Sequence, residues 1–517
     1  MTASQNNLRN AHGSAWVLVA AILGSSMAFI DGTIVNVALP AIQSGLHASA
    51  SDLQWVVESY ALALASLLLV GGSMGDRYGR KRIFLFGTVL FAIGSAWCAA
   101  VGSIAGLILA RGVQGVGAAF LVPGSLSLIS AAYPPSVRGR AIGTWSGFTA
   151  ITAAVGPVLG GWLVEHFSWR TVFFINLPLA GIVIALVVLR VGESRNESMA
   201  QGLDWPGALL ASIGLGGVTY ALIEASGHAL QAVAAGSAGV VALIGFLVVE
   251  ARAPAPMVPL ALFRSRIFLG ANLITLFLYA GLGGVLYFLP LNLIQIQHYS
   301  PTEAGGALLP FILIIFLLSR WSGGLVSRRG GKVPLMFGSV VVSFGFGLLA
   351  WPGLGGSYWT TFFPPLVVLG LGMAVCVAPL TTSVVNAVPD NQSGVASGVN
   401  NAISRVAGLI AVAVFGLILA SIFNLSLDTH LAQLGLSPAL QHQAHQQRAL
   451  LGAAVSPDPR VTLAVREAFV LGYRVVVLVA AGLALASAIS ARIFLEGRVL
   501  NPQNHGFAAD APERRGS

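Results

Sequence analysis

Apolar residues run along this chain in blocks of about twenty, parted by short polar breaks, and a block of that length lets an α-helix cross the ~30 Å hydrocarbon core of a bilayer. Six blocks lie at about 15–38, 53–74, 83–101, 104–130, 139–163 and 171–190. After a polar break near Gly192 to Gln201 come two more, at about 204–225 and 230–250. A second six follow at about 268–293, 303–325, 333–351, 358–381, 396–422 and 467–495. The expected fold class is an all-α membrane protein with fourteen transmembrane helices. One polar stretch between blocks is long, at about 424–466. It carries His430, His442, His445 and a Ser-Pro-Asp-Pro turn at 456–459, and without a recurring ligand spacing it reads as a solvated loop, so no metal is expected there.

Short cytoplasmic loops collect Lys and Arg, so the basic residues orient the helices. With the first residues inside, nineteen of the 27 Lys and Arg fall in cytoplasmic segments, among them Arg77, Arg80, Lys81 and Arg82. Four fall in outer loops, and four (Arg111, Arg320, Arg405 and Arg474) lie within spans. Both termini are therefore expected in the cytoplasm. The first block is longer than a secretory apolar core, has only Arg9 as a basic residue before it, and ends well short of Ala48-Ser49-Ala50, so it reads as a retained span and not a cleaved signal.

Composition narrows the class further. Only 9% of the 517 residues are charged and 56% are hydrophobic, with a mean hydropathy of +0.83, whereas a soluble domain carries about a quarter charged residues. A soluble fold and a disordered chain are both excluded. A disulfide-stapled fold is excluded too, because Cys98 and Cys376 each sit inside an apolar run. The net charge of +9 follows from dispersed cytoplasmic loops and does not indicate nucleic-acid binding.

An internal repeat divides the chain. The loop after span 2 reads GGSMGDRYGRK from Gly71, and the loop after span 10 reads GGLVSRRGGK from Gly323, which pairs Gly79 with Gly331 and Arg80 with Lys332. Pro134, Gly139, Ala141 and Gly143 recur as Pro389, Gly394, Ala396 and Gly398. Two six-helix bundles with a two-helix insert are expected: an N-terminal bundle over 1–190, the insert over 191–266 and a C-terminal bundle over 267–517. Repeats of this kind place a substrate path at their interface near the membrane midplane.

These residues resemble the major facilitator superfamily, and more narrowly its fourteen-span drug:proton antiporters. Gly72 to Lys81 is similar to the signature loop G-x-L-x-D-R-x-G-R-K, with Met74 in the Leu position. DGTIVNVALP from Asp31 and LQWVVESYAL from Leu53 resemble the first two spans of the fourteen-span group, and RGVQGVGAA from Arg111 its fourth-span Arg motif. Gly156, Pro157, Gly160 and Gly161 resemble the antiporters' G-P-x-x-G-G, and WRTVFFINLP from Trp169 the start of span 6. The second half departs from the pattern: Ser327 and Arg328 replace Gly75 and Asp76, and no Arg in span 12 matches Arg111. Coupling chemistry is therefore expected in the first half.

An ionisable group within a span costs at least about 2.5–3.5 kcal/mol to insert, which marks it as functional. Asp31, Glu58 and Arg111 each lie about five to seven residues from the outer end of their span, a common depth at ~1.5 Å per residue. Two carboxylates near one cation form a titratable site for proton coupling, or else a static charge cluster that holds helices together. Arg405 is too deep to snorkel easily and is a candidate cavity residue. Trp55, Trp145, Phe148, Tyr279 and Tyr287 are candidates to stack on an aromatic substrate, though aromatic side chains equally pack and anchor helices. Gly156 and Gly160 form a smooth strip and Pro157 frees a carbonyl, which suits plain packing or a gating pivot. In the loop of Gly72, Asp76, Arg77, Gly79, Arg80 and Lys81, the basic residues orient the protein, but Asp76 adds nothing to that bias. It is placed to latch onto the start of span 13 near Gly394 to Ser397, where a helix N-terminus stabilises a nearby carboxylate by about 0.3–1 kcal/mol.

Neither a nucleotide-binding loop nor a nucleophile–base pairing is visible, so no cofactor and no enzymatic reaction are expected. The resemblance implies an inner-membrane antiporter that exports small amphipathic or cationic organic compounds in exchange for protons. A proton-coupled importer and a non-transporting receptor are the alternatives. The expected topology has a direct check: reporter fusions at Gln441 and Ala508 should report opposite sides of the membrane, and two cytoplasmic readings would overturn the count of fourteen.

Overall fold

The computed structural model describes residues 3–195, 204–225, 228–254, 256–388, 393–434 and 437–495. The segment beyond 495, most of the polar break before span 7 and the repeat residue Pro389 lie outside them. For Asp76, Arg320, Arg328 and Arg329 only the backbone is described.

The chain is helical throughout its described length. The first half comprises α1 (Ala3–Leu46), α2 (Ala50–Tyr78), α3 (Arg80–Ala100), α4 (Ile104–Ala132), α5 (Pro135–His166), the short α6 (Thr171–Phe174) and α7 (Asn176–Arg190). Next come α8 (Trp205–Glu224) and α9 (Ala229–Arg252). The remainder is α10 (Arg266–Leu291), α11 (Pro301–Ala307), α12 (Leu309–Arg329), α13 (Lys332–Leu348), α14 (Tyr358–Thr361), α15 (Phe363–Asn386), α16 (Ser393–Gln433), α17 (Pro438–Gln446) and α18 (Pro459–Phe494). Starts are set by polar caps. Ser49 with Asp52 and Ser300 with Glu303 form capping boxes, Ser265 accepts from the Phe268 N–H, and Asp204 accepts from the Gly207 N–H at 2.8 Å.

Twelve helical segments among the described residues are long and apolar enough to cross a membrane, and they coincide with twelve of the expected spans. The other two expected spans fall on α5, which is 32 residues long and includes undescribed side chains, and on α13. At 17 residues α13 reaches only about 26 Å. Leu109, Leu189, Val241 and Leu317 stand more than half exposed, as side chains facing lipid do.

The expected outer loop at 424–466 is corrected by the structure. It is largely helical: α16 runs on for 41 residues to Gln433, α17 follows, and a 3-10 segment at Arg448–Ala453 turns back before α18. The repeat is also inexact at its turn. Gly79 has φ +113°, while in the second loop the left-handed residue is Gly330 (φ +71°) and Gly331 is right-handed.

In the first half α1 packs on α4, α5 and α7, and α4 on α2 and α3. In the second, α10 packs on α16 and α18, and α15 on α12 and α13. The α8–α9 hairpin lies against α2 and α16. The halves meet along two flanks, α5 with α11 and α2 with α16. Hydrogen bonds join the halves at the end away from the Arg80 loop. There Gln54 donates to the Val412 carbonyl (3.1 Å), Gln43 to the Leu450 carbonyl (3.3 Å), Gln295 to Gln43 (2.7 Å), and the Thr302 N–H to Glu165 (3.1 Å).

Glycine permits the α5–α11 contact. A Cβ on Gly161 would land on the Pro301 carbonyl, and one on Gly305 on that of Pro157. The change Gly161→Leu should therefore prop this end open. Spin labels at the exposed positions His166 and His298 should show longer, broader distances in the variant, and an unchanged distribution would mean that the contact does not govern closure.

Candidate functional site

The residues with most bearing on function converge where α1, α3, α4 and α7 cross. Asp31 on α1 and Arg111 on α4 are both buried, and an Arg111 guanidinium N–H donates to Asp31 Oδ2. The other carboxylate oxygen accepts from Gln114 Nε2 at 2.7 Å and from Asn176 Nδ2 at 3.1 Å. Gln114 and Asn176 also donate to Ser95 Oγ, at 2.8 and 3.3 Å, which ties α3 into the cluster. Arg111 completes its own set with Gln114 Oε1 (2.6 Å) and the Val56 carbonyl (3.0 Å). Its guanidinium carbon lies 4.2 Å from the centre of the Tyr60 ring, a cation–π contact. Asp31 only accepts in this network, which is the role of an ionised carboxylate.

Glu58 shares the depth but not the cluster. It is 1% exposed, and neither carboxylate oxygen has a hydrogen-bond partner among the described residues. It stands one helical turn from Gln54, on the side of α2 that meets α16, and Tyr287 on α10 is within its electrostatic reach. The expected acid–acid–base site therefore resolves into a satisfied pair in the first half and a lone acid near the boundary between halves.

The aromatic candidates do not gather into one wall. Trp55 donates to Glu224 Oε1 (3.1 Å), Trp145 to Ser25 Oγ (3.0 Å), and Phe148 is exposed on α5. Tyr279 packs within the second half, and Tyr287 is buried beside Phe288. Glu224, at the end of α8, is 19% exposed and holds both Trp55 and His228 (3.3 Å). Arg405 reaches across from α16 and lies 6.0 Å from the centre of the Phe29 ring on α1.

The α5 glycines are in contact as their sequence suggests. A Cβ on Gly156 would press on Thr33, and one on Gly160 on Ile34, so α5 lies flush against the helix that carries Asp31. Pro157 leaves α5 continuous. Gly72 lies in α2 near Pro123, and Arg77 rests over the Tyr78 ring at 5.5 Å. Beyond Gly79 the loop is clasped by the segment after α7: the Lys81 N–H donates to Glu193 Oε1 (3.0 Å), the Arg80 N–H to the Ser194 carbonyl (2.9 Å), and Lys81 Nζ to the Val188 carbonyl (3.2 Å). Glu193 thus caps the start of α3, which has no side-chain cap of its own.

A cavity of about 420 Å³ lies between the halves at the end opposite this loop. Gln43, Gln54, Gln295, Tyr287 and Glu224 line it, and Arg448 to Leu451 lie across it. Sequence reasoning missed the three side chains that complete the Asp31 network. Gln114 and Asn176 sit inside quoted motifs, and a polar side chain within an apolar block was the available signal; Ser95 carried none beyond that.

Comparison with known proteins agrees with this architecture. A model of the Major Facilitator Superfamily matches residues 21–412. The chain is 34% identical to the multidrug resistance protein Stp of Mycobacterium tuberculosis, over 96% of this chain and 94% of that protein. It is 37% identical to the tetracenomycin C resistance and export protein of Streptomyces glaucescens, over 79% of this chain and 77% of that protein. Its fold is similar to the solved structure of a bacterial homolog of the human lysosomal transporter Spinster in an inward-facing, unoccupied conformation. The TM-score is 0.64 at 17% identity, covering 94% of this chain and 98% of that one. From the family match across most of its helices and from these full-length relatives, the chain belongs to the Major Facilitator Superfamily.

Proposed function

We propose that this protein is a secondary antiporter of the cytoplasmic membrane that exports small amphipathic or cationic organic compounds in exchange for protons. In this reading α5 and α13 complete fourteen spans, two six-helix bundles enclose the path, α8 and α9 form the insert, and both termini face the cytoplasm. Closure at the end away from the basic loops then makes this an inward-facing state. Relatives named for drug resistance and export support the direction of transport.

The observation that carries the coupling is the Asp31–Arg111 pair, buried and hydrogen-bonded between four helices. Protonating Asp31 removes a charge that Arg111 needs. Breaking a buried pair in this way costs about 3–5 kcal/mol unless the helices rearrange, so a proton becomes a reason for the carrier to change state. The inward proton gradient supplies the work. One charge crossing 100 mV is worth about 2.3 kcal/mol, enough to hold a neutral solute gradient of roughly 40-fold. Glu58 is a second acid that can titrate as the halves separate, and Asp76, which lies in the last turns of α2 where a loop was expected, latches the cytoplasmic side in the opposite state.

In proteoliposomes, Asp31→Asn should abolish substrate accumulation driven by a pH gradient while substrate-for-substrate exchange and membrane insertion persist. Full accumulation with its pH dependence preserved would move coupling to Glu58. Asp76→Asn should shift label pairs on the 2–3 and 12–13 loops toward longer distances and slow export, whereas Arg82→Ala changes little; unchanged distances would leave the loop as an orientation signal alone.

A further inference from the structure

Among the described side chains of the second half, Arg405 presents a charge to α1 of the first. Arg405 lies about three turns into α16, partly exposed, with its guanidinium over Phe29 of α1. Among the described residues it has neither a hydrogen bond nor a carboxylate partner, and Tyr60 lies within its electrostatic reach. Across the boundary, Arg111 is already cancelled by Asp31, whose oxygens are taken by Arg111, Gln114 and Asn176. Arg405 therefore faces α1 as an unpaired positive charge, in surroundings where water screens charge weakly.

A guanidinium offers five N–H donors and no acceptor, and it does not shed its proton. Leaving those donors without acceptors is costly, and the residue has no way to become neutral. Its contact with the Phe29 ring, 6.0 Å from the centroid, uses none of these N–H groups, so the fork is free for a pair of in-plane acceptors. A carboxylate, a phenolate or conjugated carbonyls would complete it, carried on a flat body able to lie along Phe29. A fixed cation placed beside Phe29 would meet Arg405 itself.

We propose that Arg405 is a specificity-determining residue of the transport cavity, and that it selects aromatic compounds bearing paired acceptor oxygens, anionic or neutral, over fixed cations. This rests on the export reading above and narrows its substrate class.

Fluorescein and rhodamine 123 share a xanthene ring and differ in charge, so their anisotropy on the purified full chain in lipid nanodiscs tests the proposal. The wild type should bind fluorescein about tenfold more tightly or better, the value of one charge-assisted hydrogen bond. Arg405→Gln should bring the ratio close to one, and Arg405→Lys, which keeps the charge without the fork, should leave it in between. Equal or reversed preference in the wild type, no binding of either dye, or a ratio unmoved by both substitutions overturns it. The Asp31→Asn exchange assay separates the two readings. A ratio indifferent to Arg405 alongside lost coupling in Asp31→Asn sinks the specificity alone, and an Arg405-dependent ratio alongside proton-independent export sinks the coupling alone.

Discussion

The ion pair between Asp31 and Arg111 constrains everything around it. Placed in a low-dielectric interior, neither charge is tolerable alone, so four helices must supply the partner, the two amides and the hydroxyl that make the pair affordable. That requirement sets the register of α1 against α4 and brings α7 close enough for Asn176 to bond. It also explains why α5 needs small residues at Gly156 and Gly160: the helix that carries Asp31 is gripped from that side by close backbone approach, not by bulky packing.

Against this rigid cluster, the boundary between the halves is held by weaker and more replaceable contacts. Four hydrogen bonds through Gln43, Gln54, Gln295 and Glu165, together with the Gly161 and Gly305 approach, close one end. Neutral amide bonds contribute about 1 kcal/mol each, an amount that a substrate or a proton can outweigh. The contrast between a strongly determined half-site and a lightly fastened seam is what alternating access requires. The α8–α9 hairpin sits across that seam, with Glu224 holding Trp55 of α2.

Much of the fold was legible because lipid imposes one rule, an apolar run of fixed length, and twelve expected spans met it as written. Asp31 and Arg111 were legible for the converse reason, since a charge inside such a run is conspicuous. The exclusion of Glu58 from their pair was not, because depth along an axis says nothing about which face of a helix a residue occupies; Glu58 shares the depth and points elsewhere. Gln114 and Asn176 pass unnoticed beside charges although they do as much for the carboxylate. The 424–466 segment misled for another reason. Its Gln and His content obscures a sparse apolar stripe, in which Phe423, Leu427 and Leu431 stand one turn apart and are buried against the second-half core.

The length of α16 has a mechanical consequence. Its 41 residues extend about 60 Å, roughly twice the hydrocarbon thickness, so a good part of the rod stands clear of the bilayer. A rod pivoting within the membrane moves most at its free tip, and this tip is braced by α17 and the first turns of α18. Rocking too slight to resolve beside Arg405 is magnified there. The projecting end serves as a pointer, on which a probe fastened outside the membrane reads the internal state without entering the path that cargo takes.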